Sequence, residues 1–257
     1  MDFCPVEWHD SLPSTNTCLM ERVRLCPDTP CGTVIAARQQ TAGRGRQQRT
    51  WEAAPGRNLT FSFLWNAPVP PDYVPSMAQA IALGVAGYLG GEGLDAAIKW
   101  PNDIQVRGRK IGGILCETAS ACDSSGTAIV AGIGLNVNMA AAEAAAIDQP
   151  ATSMLLESGR EWEVEFVLHT LLAALAAPLN AWGAGGFEAI RADYIRLTAP
   201  VGTSVRVRDG EIGGASHHGQ QLVSVAALRI AGEVAGDAAR PLLGSIQAVR
   251  LDHRADE

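Results

Sequence analysis

The stretch Lys99 to Gly113, KWPNDIQVRGRKIGG, constrains the fold of this 257-residue chain more than any other segment. Ile104 to Val106 and Ile111 to Glu117 are short runs of β-formers separated by the polar turn RGRK, a pattern that predicts a hairpin with a ligand-facing side. Further strands are predicted at Gly32 to Ala37, at Leu59 to Trp65, at Ala96 to Trp100 and at Ala128 to Asn138. Leu59 to Trp65 alternates large apolar and small polar residues as a half-buried strand does. Ahead of them, Ser14 to Leu25 reads as a short helix beginning near Thr15 or Asn16. Ser76 to Leu89 reads as an apolar helix capped by Ser76 and stopped by Gly90-Gly91. Val164 to Leu179 and Phe187 to Leu197 read as two more helices, with a break over Trp182 to Gly186. From about Pro200 the pattern returns to short strands (TSVRVRD, QLVSVAALRI, LLGSIQAVR) with glycine-bearing turns. The expected architecture is therefore α/β (α+β): a mixed sheet packed by helices over residues 1–199, then a small β-barrel over 200–257.

The chain is long enough to bury a sizeable core, and 47% hydrophobic with 18% charged residues is ordinary for a folded protein. A formal net charge of -7 disfavours a nucleic-acid partner and makes any local cationic cluster notable. No apolar run of about 18 residues is expected to span a bilayer, and MDFCPVEWHD lacks the basic start and apolar core of a signal peptide. A cytoplasmic location is expected. Six cysteines occur without a CxxC pair or metal-type spacing, so reduced, mostly structural thiols are expected.

Two segments stand out as candidate sites. In QQTAGRGRQQRTW, Gly43 and Gly45 alternate with Arg44 and Arg46, so backbone can approach a ligand closely while guanidinium groups close over it. The other is the hairpin itself, which holds both lysines of the chain, Lys99 and Lys110, although Lys and Arg together number 20. Two readings of the retained lysines stand open: a place for a compact ammonium against phosphate or carboxylate, and a genome composition that replaces Lys by Arg throughout. No GxxxxGK[ST] spacing occurs. His217-His218 lack spaced partners for a metal and read as surface. Cys116 beside Glu117 has the residue types of a thiol and a base, but neighbours on a strand face opposite sides, so Cys116 reads as core.

Five motifs in order resemble those of the biotin protein ligases: STN at Ser14 to Asn16, AGRGR followed by Arg49 and Trp51, KWPND at Lys99 to Asp103, RKIGGIL at Arg109 to Leu115, and GIGLNVN at Gly132 to Asn138. The resemblance covers Ser14 to Asn138. It implies an α/β catalytic domain with a mixed sheet, followed by a small SH3-like β-barrel. It also implies ATP-dependent activation of biotin to an acyl-adenylate, with Mg²⁺ on the phosphates, and transfer to a lysine of the biotin carboxyl carrier protein of acetyl-CoA carboxylase or a related carboxylase.

By the same resemblance, Arg44, Arg46 and Lys110 are the catalytic cations. Ser14, Thr15, Asn16, Gln40, Gly43, Gly45 and Gly113 line the biotin end with them. Arg46, Arg49, Trp51, Asn102, Lys110 and Asn136 face the nucleotide, and no resident metal site is implied. A monomer or homodimer is expected. Lipoate or octanoate ligases of the same fold, and a non-catalytic biotin-binding regulator, are the alternative readings.

The chain departs from the family pattern in two ways: Gln48 stands where the family loop carries a glycine, and the barrel's closing signature is weak at LLGSIQAVR. With the STN motif beginning at Ser14, the N-terminal helix-turn-helix that some members use to bind DNA is not expected. No DNA and no membrane partner are expected.

Overall fold

The structure, a computed structural model, describes residues 2–67, 74–119, 127–198, 204–207 and 221–224. The chain divides into two units with the boundary between Thr198 and Ala199. Seven strands of the first unit form one sheet in the order β1-β2-β3-β7-β6-β5-β4. These are β1 (Val6–His9), β2 (Val34–Ala37), β3 (Leu59–Ala67), β4 (Ala96–Lys99), β5 (Asp103–Val106), β6 (Arg109–Ala119) and β7 (Thr127–Leu135). Only β1 and β2 pair in parallel; every other neighbour is antiparallel, so the sheet is mixed as expected. In the second unit, β8 (Ser204–Val207) pairs antiparallel with β9 (Gln221–Ser224). The strand expected at LLGSIQAVR, the barrel as a whole, Cys122 and His217-His218 lie outside the described residues.

The hairpin turn has a local cause. Arg107 and Gly108 both take positive φ, 51° and 73°, as a two-residue turn twisted to match its strands requires. Side chains then alternate along the strands. On β3, Phe61, Phe63 and Trp65 enter the large core, while Leu64 enters a small cluster on the other face with Ile35 of β2 and Val130 of β7.

The large core lies under α2 (Val74–Gly91) and α5 (Val164–Gly185), which pack closely because Gly84 has no side chain: a Cβ there would sit 2.7 Å from Leu175 Cδ2. The small cluster is closed by α1 (Thr15–Leu25) through Leu19 and Val23. Three short helices complete the unit: α3 (Ala141–Ala145), α4 (Met154–Ser158) and α6 (Arg191–Leu197).

Several boundaries differ from expectation. Helix α2 begins at Val74, so Ser76 is not its cap; the Ser76 hydroxyl instead accepts from Trp182 Nε1 at 2.8 Å. That bond, full burial of Trp182 and its edge contact with Trp65 at 6.4 Å hold the helical turn that was expected to break. Helix α5 therefore runs through Trp182 and ends at Gly185, before Gly186 at φ 63°.

Helix α5 with the turn after it (Val164–Ala189) is also long and apolar enough by composition to cross a membrane, contrary to the expectation of no such run. Its buried residues, Val167, Leu171, Leu175 and Leu179 among them, recur at helical spacing and pack in the core. Strand β7 stops at Leu135, short of the expected Asn138, because the asparagines that follow bond other segments: Asn136 Nδ2 donates to the Thr152 carbonyl and Asn138 Nδ2 to that of Trp162.

Candidate active site

The face of the sheet under α1 carries small and polar groups where the opposite face carries the core. A Cβ on Gly132 would collide with Asn16 Oδ1, and one on Gly134 with the indole of Trp51. Gly113, on the neighbouring strand, leaves room for the same indole and for the Lys110 side chain, each 3.4 Å from the position of an added Cβ. These glycines form a floor on which side chains lie flat.

At one end the floor is polar. Ser14 caps α1, its hydroxyl accepting from Thr17 N at 3.5 Å, and the next two residues face the sheet. Gln40 Oε1 accepts from the Thr15 backbone N–H at 2.7 Å and lies 3.1 Å from Thr15 Oγ1. Ser62 Oγ, from β3, lies 2.7 Å from Thr15 Oγ1 and 2.6 Å from Asn16 Oδ1. Asn16 Nδ2 donates to the Leu115 carbonyl and to Glu117 Oε2. Neutral donors and acceptors in this setting suit a polar, uncharged ring better than an ion.

At the other end the floor is cationic. Residues 43–51 close on themselves as a small hairpin: Arg44 bridges Thr50, Trp51 N donates to the Gly43 carbonyl and Gly45 N to that of Arg49. Gly43 is required here because an added Cβ would strike the Trp51 carbonyl. Gln47, at φ 55°, is the left-handed residue of the loop, so the strain falls one place before Gln48.

Arg44 pairs with Glu117 at 2.8 Å, Arg46 Nη1 donates to Asn102 Oδ1 at 3.3 Å, and Lys110 Nζ pairs with Asp103 Oδ1 at 2.7 Å. Lys110 also stands 5.8 Å from the Trp51 ring centre. Asn102 is fixed in turn by donating to the Ile114 carbonyl. Among the described residues no three His, Cys, Asp or Glu side chains cluster as metal ligands. Three cations against two carboxylates leave a site able to take anionic oxygens once those carboxylates are displaced or shared.

Of the expected site residues, Thr15, Asn16 and Gln40 meet at the polar end, and Gly113, Trp51, Lys110, Asn102 and Arg46 meet at the cationic end. Arg44 lies between the ends, on Glu117. Arg49 is exposed and contributes its carbonyl to the loop. Asn136 is buried and ties β7 to Thr152, whose N–H donates to the Lys110 carbonyl.

Ser62 and Glu117 were not among the expected site residues. Both were readable from the period of two, since Ser62 alternates with Phe61 and Phe63, and Glu117 shares the parity of Gly113. Cys116, between them on the strand, packs toward the large core, and burial pushes its thiol up to about 12. It is protonated at neutral pH, as a core residue would be.

Comparison with known proteins agrees with this geometry. The model of the biotin/lipoate A/B protein ligase family matches residues 8–136. The bifunctional ligase/repressor BirA of Bacillus spizizenii is 31% identical over 183 residues, 70% of this chain and 56% of that protein. The chain spans 62% of the Bacillus subtilis BirA. The biotin–[acetyl-CoA-carboxylase] ligase of Mycobacterium tuberculosis is 33% identical over 218 residues, covering 83% of this chain and 75% of that one. The solved biotin protein ligase of Aquifex aeolicus in complex with biotin and ATP superposes with a TM-score of 0.66 at 24% identity, covering 86% of each chain, and so shares the fold. With the family's motifs on one glycine-floored face and more than half the chain matched, this protein belongs to the biotin/lipoate A/B protein ligase family.

Proposed function

We propose that this chain is a biotin protein ligase, which converts biotin and ATP to biotinyl-5'-AMP and pyrophosphate and then passes biotin to a lysine of a biotin carboxyl carrier domain. The observation that carries the reading is the joining, on one sheet face, of an uncharged polar floor and a cationic end. The floor offers partners for a buried ureido ring, and the cations stand where its carboxylate would meet a nucleotide.

Activation joins two anions, since a carboxylate oxygen attacks the α-phosphorus and pyrophosphate leaves. Arg44, Arg46 and Lys110 offset that repulsion and hold the oxygens in line, a preorganised role in which one donor is worth about 3 kcal/mol. Mg²⁺ enters with ATP as part of the substrate. Arg44 must leave Glu117 to serve the carboxylate, and Trp51 lies on the glycine floor beside Lys110, where an adenine would stack. In the second step the carrier lysine's amine attacks the acyl carbon and AMP leaves. No nucleophilic side chain of this chain is needed.

We assign the catalytic role to residues 1–199 and a small SH3-like barrel to 200–257, the second supported by the antiparallel pair β8–β9. A carboxylase carrier protein is the proposed partner. Mixing the protein with MgATP and either biotin or lipoate tests the reading: pyrophosphate released with biotin, and biotin appearing on a carrier fragment, is expected. Release with lipoate alone overturns it.

A further inference from the structure

Strand β6 carries an extra residue beside Lys110. Across the hairpin, Ile104 faces Gly112 while Gln105 faces Lys110, so two neighbours on β5 span three positions on β6 and Ile111 is the bulge. Its effect is on direction. Ile114 and Cys116 turn to the large core, and strict alternation would send Lys110 the same way. The bulge reverses it: Ile111 enters the core instead, and Lys110 joins Gly113 on the glycine floor, its Nζ 3.5 Å from the position of an added Cβ there. Strand β7 pairs with β6 only from Gly112 onward, so the backbone before it needs other partners. The Lys110 N–H donates to the Pro150 carbonyl at 2.8 Å, the Thr152 N–H donates to the Lys110 carbonyl at 2.9 Å, and the Asn136 N–H donates to the Ile111 carbonyl at 2.8 Å. Residues 150–152 thus form a short parallel neighbour to Lys110. One carboxylate holds that neighbour in place. Glu157 Oε1 accepts from Thr152 Oγ1 at 2.6 Å and from Arg109 Nη2 at 2.7 Å, so it joins the residue before Lys110 to the segment beside it. The Glu157 side chain is 1% exposed, and its second oxygen lies 3.7 Å from Arg107 Nη1 in the hairpin turn. Burying a carboxylate is costly unless it is paired and hydrogen-bonded, so these partners hold one another closely.

We propose that Glu157 is a positioning residue for adenylate formation: through Thr152 and Arg109 it clamps the bulged strand that aims Lys110 at the reacting oxygens. The inference rests on the biotin reading above and deepens it. Its action runs through Lys110, since both of its hydrogen-bond partners flank that residue, one along the chain and one across from it. A misplacement of about 1 Å at a charge that serves a transferring phosphorus costs up to about 100-fold in rate, so a loosened clamp is read in the chemical step.

The test is a double-mutant cycle in the full chain, with single-turnover pyrophosphate release from biotin and MgATP as the rate and calorimetry as the measure of biotin affinity. Glu157→Ala is expected to slow release about 10-fold or more, with biotin affinity changed less than about threefold. In a Lys110→Ala background the same substitution is expected to cost less than about twofold, because the group it aims is gone. Glu157→Gln, whose Oε1 can still accept from Thr152 and Arg109, is expected to recover most of the rate. Should Glu157→Ala fail to fold, Thr152→Val, which keeps the shape and removes the hydroxyl proton, carries the same comparison. A merely structural residue would lower the rate by the same factor in both backgrounds. That result, or no loss in the chain that keeps Lys110, overturns the inference and leaves the biotin reading standing. A wild-type protein that releases no pyrophosphate with biotin overturns both.

Discussion

From the same strands, one face of the sheet presents Phe61, Phe63, Ile129 and Ile133 to a core under α2 and α5, while the other presents Ser62, Gly132, Gly134 and Glu117 beneath α1 and the arginine loop. The core face is continuous and fully buried. The α1 face is thin: its apolar cluster is small, and its remaining contacts are hydrogen bonds and ion pairs. The difference shows a division of labour across a layer only one side chain deep. Stability is concentrated where close packing is continuous, and the opposite face is left open enough for ligand groups to replace protein ones.

The division can be broken from the core side first. Leu175→Ala removes a fully buried side chain at the α2–α5 contact and is expected to destabilise the fold by about 2–5 kcal/mol, read by chemical denaturation, while the folded fraction binds biotin normally. A parallel loss of affinity would mean that the faces are not independent. From the other side, Lys110→Ala is expected to slow adenylate formation by roughly 100-fold or more, read by pyrophosphate release, with a smaller change in biotin affinity and no large change in melting temperature. Equal losses in affinity and rate would place Lys110 in ground-state binding instead.

Gly132→Ala sharpens the comparison, because the added methyl meets Asn16. Overpacking of about 1–3 kcal/mol should appear mainly as lost biotin affinity, with the core intact by near-ultraviolet circular dichroism. The smallest effect is titrational. Burial raises the Cys116 thiol from 9.0 to about 12 and the Tyr88 hydroxyl from 10.0 to about 12, so the neutral forms are favoured in the folded state. Their contribution is fully present below pH 9 and is lost as pH rises toward 12. Cys116→Ala should flatten the pH 9–12 fall in denaturation midpoint relative to wild type; an unchanged slope would show that the thiol does not take part.

Helix α1, the β5–β6 hairpin and the strands β2 and β3 were legible in the sequence because their signals are local: an N-cap serine, a glycine-bearing polar turn, a run of β-branched residues. Strand β1 was not, since VEWH is short and gains its identity by pairing with β2, 28 residues away. The end of α5 was misread because a local glycine pattern was outweighed by Trp182, whose burial and bond to Ser76 hold the turn.

The site divides in the same way. Its cations, its glycines and the Ser-Thr-Asn cap stand in the sequence as motifs, since each is a run of residues with a common chemical demand. That Arg44 rests on Glu117, that Asn16 reaches across to β6, and that Ser62 joins Thr15 to Asn16 was decided only by the tertiary structure. Those contacts join residues 46 to 101 positions apart, and only the register of β3, β7 and β6 brings their outward faces together under α1.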